Sequence, residues 1–189
     1  MIIIFFKSMA NWFIALTPQK DLNKKIIEFK SKQKKFLVKD ADVNWSADNQ
    51  HHVTLNYIGS MEPEQKEEMF VELDTCSFSY KELPLEITTF SYFPNENGQF
   101  LVANIFLSNQ LQKLYNEVGE IVARIGFGMT LRSFKPHITL ARFKERKRPF
   151  LNLIDLEGPV ASSVFSIDVY KSEFKSGKTV HSLIKSIGF

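Results

Sequence analysis

The chain has 189 residues, a formal net charge of +3 and one cysteine, Cys76. That length fits one domain, or two small lobes on a common core, and a charge this mild does not by itself mark a nucleic-acid binder. A lone cysteine excludes an intramolecular disulfide framework and fits a reducing cytoplasm. No apolar run is long enough to cross a membrane. Met1 to Phe6 is apolar but lacks a basic leader and a small-residue cleavage site, so residues 1–10 are expected to be an extension without a functional role.

Trp12 to Leu16 reads as the first strand, stopped by Thr17-Pro18. Asp21 to about Lys34 reads as a helix with an apolar stripe of Leu22, Ile26, Ile27 and Phe29, its lysines taken as a solvated face. Val43 to Trp45 is a short extended piece. The polar loop Ser46 to Gln50 leads to a strand over His52 to Ile58. Pro63 opens a second helix to about Leu73. Leu83–Phe93 and Phe100–Leu107 read as strands joined by the turn at Pro94 to Gly98. Leu111 to Ile125 is a third helix, with Ser108 as N-cap. A further strand covers His137 to Phe143, followed by the basic run Lys144 to Arg148. Phe165–Tyr170 and Val180–Ile184 form a closing hairpin. This order is α+β with mostly antiparallel sheet.

Two stretches stand out: His52-Val-Thr-Leu55 and His137-Ile-Thr-Leu140, 85 positions apart. Alternate strand residues share a face. Each copy therefore sets an imidazole beside a hydroxyl, over an apolar underside. Two such histidines facing a cleft can act as general base and general acid. The hydroxyls, with a cation, can hold phosphate oxygens. Phosphodiester cleavage needs these parts and no metal. A single His-x-Thr in a strand is usually structural; the repetition is what raises the functional reading. Arg142 stands five residues after His137, so a regular strand turns it away from the groove, and a bulge would reverse that.

The two motifs resemble the signatures of the 2H phosphoesterase superfamily. Within it the chain is similar to the RNA 2′,3′-cyclic phosphodiesterases, also named 2′-5′ RNA ligases. Phe13-Ile-Ala-Leu16, Val43-Asn-Trp45, His52 to Gly59, Phe134 to Arg142 and Tyr170-Lys-Ser172 carry the resemblance, which extends over nearly all of residues 11–187. It implies a single bilobal domain over 11–189, two pseudo-symmetric lobes of mostly antiparallel sheet flanked by helices, and a central groove carrying both motifs. It implies His52 as proton donor, His137 as proton acceptor, and Thr54 and Thr139 on phosphate oxygens. Arg142 is a further phosphate candidate, and Phe13, Lys144 and Arg146 are RNA-contact candidates. The expected substrate is RNA ending in a 2′,3′-cyclic phosphate or carrying a 2′-5′ linkage, hydrolysed without metal or cofactor by a cytoplasmic monomer, with reversible 2′-5′ ligation as a further activity. Other readings are a different small cyclic phosphate or 2′-5′ oligonucleotide as substrate, an RNA-end binding module without catalysis, and a histidine metal site. Val180 stands where the family often has tyrosine. His51 reads as a loop residue and His181 as a strand residue without a role.

Overall fold

The computed structural model describes residues 11–36, 43–128, 133–144, 160–175 and 177–189. Among these residues nine strands and three helices follow in the order β1 (Asn11–Leu16), α1 (Lys20–Phe36), β2 (Val43–Trp45), β3 (Val53–Gly59), α2 (Pro63–Thr75), β4 (Leu83–Phe93), β5 (Phe100–Ile105), α3 (Asn109–Arg124), β6 (His137–Phe143), β7 (Val160–Val164), β8 (Ser166–Lys175) and β9 (Lys178–Gly188). The strands form one antiparallel sheet in the order β7-β4-β5-β6-β3-β1-β8-β9, with β2 added beside β6. Its middle is thin. β3 meets β6 through the single pair Val53↔Ile138, while β2 takes the rest of that edge of β6 through Val43↔Phe143 to Trp45↔Ala141. Two half-sheets are thus hinged on the two motif strands.

The core lies on the helix side of the sheet. Ile14, Leu16, Val53, Leu85, Ile138 and Leu140 are buried there with Leu22, Ile26, Leu111, Leu114 and Val118 of the helices. Apolar positions of α3 recur at helical spacing, and its N-cap Ser108 accepts a hydrogen bond from the Leu111 amide at 3.1 Å. α1 buries Leu22, Ile26, Phe29, Lys30 and Gln33, one face of a 3.6-residue period. Phe29 stacks on Phe90 of β4. Lys30 is therefore not on a solvated face as expected; it lies on the packed side of the helix. Among the described residues no helix is long and apolar enough to cross a membrane.

Three expected elements differ from the observed ones. β3 begins at Val53, so His52 stands one residue ahead of the strand. The closing hairpin is longer than its apolar core, because β8 and β9 stay paired from Ser166↔Gly188 to Lys175↔Lys178. β7 is not visible in the sequence pattern. Its Ala-Ser-Ser centre has little strand character, and pairing with β4 from Leu83↔Val164 to Ile87↔Val160 supplies it. Residues 1–10 and Arg146 lie outside the described residues.

Candidate active site

The Val53↔Ile138 pair sets the geometry of the site. Extended by one residue each way, the antiparallel register puts His52 across from Thr139 and Thr54 across from His137. The two motifs are related by a local two-fold between Val53 and Ile138, and each histidine faces the other motif's hydroxyl. Val53 and Ile138 themselves are fully buried beneath.

The repeat extends to the backbone. On β3, Ala15 pairs with Thr54 and the next β1 residue, Ile14, with Asn56, so Leu55 is extra. On β6, Val102 pairs with Thr139 and Leu101 with Ala141, so Leu140 is extra. Both motifs thus bulge at their fourth residue. A bulge shifts the side-chain alternation by one. Leu140 and Ala141 are both buried, and Arg142 emerges on the face of His137 and Thr139. This resolves the odd offset of Arg142: it lines the cleft, its guanidinium 5.6 Å from the centre of the Phe100 ring. Tyr57 holds the corresponding place after the first motif and is exposed.

The histidines are held alike. His52 Nδ1 lies 2.8 Å from the Gln50 carbonyl oxygen, and His137 Nδ1 lies 2.8 Å from that of Lys135. A carbonyl only accepts, so each Nδ1 carries the proton and donates it. Each Nε2 is then a lone-pair nitrogen, and neither has a protein hydrogen-bond partner among the described residues. Two neutral imidazoles with fixed tautomers can take a proton at Nε2 or, once charged, give one.

Burial lowers the pKa of both. His52 falls to about 4, mainly through desolvation, opposed by its bond to Gln50, with smaller repulsions from His181 and His137. His137 is lowered for the same first reason, opposed by its bond to Lys135. In the free protein burial thus favours the neutral form of both.

Around His52 lies an aromatic cluster. Phe13 lies 4.8 Å from His52 between ring centres and stacks on Tyr170 at 5.2 Å. Thr17 Oγ1 donates to Asp168 Oδ2 and accepts from the Tyr170 hydroxyl at 2.7 Å. Ser186 Oγ donates to Asp168 Oδ1 at 2.6 Å. Phe13 is 3% exposed, so it packs against His52 and has no open face for a base. Trp12 belongs to the core on the opposite side. Phe93 stacks on His137 at 4.0 Å.

His52, Thr139 and Arg142 line a cleft of about 830 Å³, with Trp45, Phe174 and His181 among its other walls. Lys144 lines a smaller adjoining recess with Asn44, Gln99 and Arg142. Two further histidines lie near His52, His51 in the loop ahead of β3 and His181 on the closing hairpin, both in the kind of element expected. His181 lies edge-on to His52 at 5.3 Å. His51 is buried and accepts from the Lys30 ammonium at Nε2, 3.0 Å away. Its Nδ1 donates to Asn23 Oδ1 at 2.5 Å. The turn at Gly177 was the available signal for His181, because hairpin register then places it across from Ser172. Nothing local marked Lys30.

Comparison with known proteins agrees with this architecture. A curated relative, the RNA 2′,3′-cyclic phosphodiesterase of Geobacillus stearothermophilus, is 26% identical over 128 residues, 65% of this chain and only 40% of its own length. The structure resembles that of TT0787 of Thermus thermophilus at a TM-score of 0.79 and 19% identity, covering 94% of this chain and 97% of the other. It resembles E. coli LigT complexed with 3′-AMP at a TM-score of 0.77 and 18% identity, covering 95% and 98%. At these identities the likeness shows the fold alone. The model of the LigT-like phosphoesterases matches residues 16–102 and 106–178, which span both motif strands, and the chain belongs to that family.

Proposed function

We propose that the protein is an RNA 2′,3′-cyclic phosphodiesterase that opens the terminal cyclic phosphate to a 2′-phosphomonoester. The observation that carries this is the pair of histidines with Nδ1 fixed on a backbone carbonyl and Nε2 left open, each across from the other motif's threonine. The named activity of the Geobacillus relative supports the substrate class.

His137 Nε2 takes a proton from water as the water oxygen bonds to phosphorus. The bond from phosphorus to O3′ breaks, and His52 Nε2 gives that oxygen its proton. The products are a 3′-hydroxyl and a 2′-phosphate. Thr54 and Thr139 donate to non-bridging oxygens, and Arg142 offsets the charge that builds on them. With a 5′-hydroxyl in place of water as the nucleophile, the same two proton transfers open the cyclic phosphate to a 2′-5′ phosphodiester and a 3′-hydroxyl, so ligation uses the same displacement; in water hydrolysis dominates. The two proton transfers come from the histidines and the charge stabilisation from Arg142, so we assign no metal. The test is a short RNA with a 2′,3′-cyclic phosphate, incubated in EDTA. A 2′-phosphate product is expected; a 3′-phosphate, or turnover only with added metal, would overturn the reading.

The lowered pKa values fix a pH dependence. The kcat/KM profile reports the free enzyme's acid and base. Both lie below the usual histidine value of 6.5, so its optimum, midway between them, is expected below pH 6.5. A bound phosphodiester anion favours imidazolium and raises both values. The kcat profile is therefore expected at higher pH than that of kcat/KM. Coincident profiles centred above pH 7 would mean that burial does not govern these histidines.

A further inference from the structure

His181 is unlike the two motif histidines. Its ring stands at 85° to Phe13 with centres 5.0 Å apart, and at 84° to His52 at 5.3 Å. Its Nδ1 is buried and has no hydrogen-bond partner among the described residues. Leaving a buried N–H unpaired costs about 1–3 kcal/mol. The proton therefore belongs on Nε2, the opposite tautomer to His52 and His137. Where those two offer a lone pair, His181 offers a donor, and its residue lines the cleft.

Its position in the sheet says which part of a substrate it meets. The strand order β6-β3-β1-β8-β9 sets β9 on the far side of β3 from β6, and the hairpin brings the His181 ring back to 5.3 Å from His52. His181 is thus on the far side of His52 from His137. In the proposed reaction water enters at His137 and the sugar oxygen departs at His52. The nucleoside bearing that oxygen must lie on the His52 side, toward β9. There the register pairs Ser172 with His181 and Phe174 with Thr179, and Phe174, an apolar ring 70% exposed, also lines the cleft. In the two-fold repeat of the sheet β7 is the counterpart of β9, but none of its residues lines the cleft.

We infer that His181 is a specificity-determining residue, donating from Nε2 to the terminal nucleoside of the substrate, with Phe174 as the adjoining apolar surface. This rests on the reading of the cleft as a nucleotide phosphodiesterase site, and it is tested by binding so that turnover is not needed. Calorimetric titration compares adenosine 2′-monophosphate with inorganic phosphate in wild type, His181→Leu and His181→Gln. One net hydrogen bond corresponds to roughly a three- to tenfold change in affinity. In His181→Leu the preference for the nucleotide over phosphate is expected to shrink by about that factor, and the amide N–H of His181→Gln is expected to restore part of it. Loss of affinity for both probes in equal measure would show a structural role and overturn the inference. So would an unchanged preference in His181→Leu. Failure of the wild type to turn over cyclic phosphate would count against the proposed reaction, and leaves these binding ratios to decide on His181.

Discussion

Replacing either motif histidine by alanine is expected to lower kcat/KM on a 2′,3′-cyclic phosphate by about 10²- to 10⁴-fold, the usual worth of a positioned general acid or base. The double variant is expected to lose little more than the worse single one, because the two groups serve one displacement. Asparagine is an instructive alternative at either site. Its amide can still donate to the Gln50 or Lys135 carbonyl, yet it has nothing at the Nε2 position. His52→Asn and His137→Asn should therefore be as inactive as the alanine variants while keeping the fold.

A change of leaving group separates the two roles, which the local two-fold cannot. A diester that expels nitrophenolate needs no proton on the departing oxygen. If His52 is the donor, His52→Ala recovers most of its lost activity on that substrate and His137→Ala does not. The opposite pattern would exchange the roles. Equal turnover by wild type and both alanine variants on every substrate would leave a binding module rather than an enzyme.

How far the sequence shows this site depends on the range of the interactions that build it. The two His-x-Thr pairs are legible because alternation on a strand is local. Ser108 is legible as a cap for the same reason. Arg142 marks the boundary. Its offset of five raises the question of a bulge, and only the pairing of Leu101 and Val102 with β6 answers it. The same bulge at Leu55 shows that the repeat lies in backbone geometry as well as in letters. Phe13 suggests a stacking surface from its type and place, and packing among Tyr170, His52 and His181 leaves it buried. His181 enters through the register of a hairpin longer than its apolar centre indicates. Lys30, Asp48 and His51 are the least legible, because their meaning is a contact between α1 and a loop 16 to 21 residues later.

That contact carries the second large expectation. Lys30 is 1% exposed, and its ammonium has three donors. They reach the Ser46 carbonyl oxygen at 2.5 Å, Asp48 Oδ1 at 2.6 Å and His51 Nε2 at 3.0 Å. Asn23 closes the set, accepting from His51 and donating to the Asp48 carbonyl oxygen at 3.0 Å. The loop so fixed contains Gln50, whose carbonyl orients His52. In Lys30→Met the stem volume is kept and the ammonium is lost. Asp48 is half exposed and regains water. The Ser46 carbonyl and His51 Nε2 lose their donor, at roughly 1–3 kcal/mol for each group that stays buried. A loss of about 2–5 kcal/mol of stability is expected, with reduced kcat as the Gln50 carbonyl shifts. Adding His51→Leu removes one orphaned acceptor and should recover stability without recovering kcat.

The pH dependence of stability gives an independent check. Desolvation first, and then the nearby Lys30 charge, hold the His51 pKa at about 4. An unfolded chain takes up that proton near pH 6.5, so the unfolded state binds more protons and stability falls as pH drops from 6.5 toward 4. Without the Lys30 charge the folded pKa rises toward 6.5 and the window narrows. Denaturant midpoints at pH 7 and pH 5 are therefore expected to differ more in wild type than in Lys30→Met, although the variant is the less stable at pH 7. An equal acid shift in the two proteins would mean that Lys30 does not act on His51, and that the loop ahead of His52 is held by packing alone.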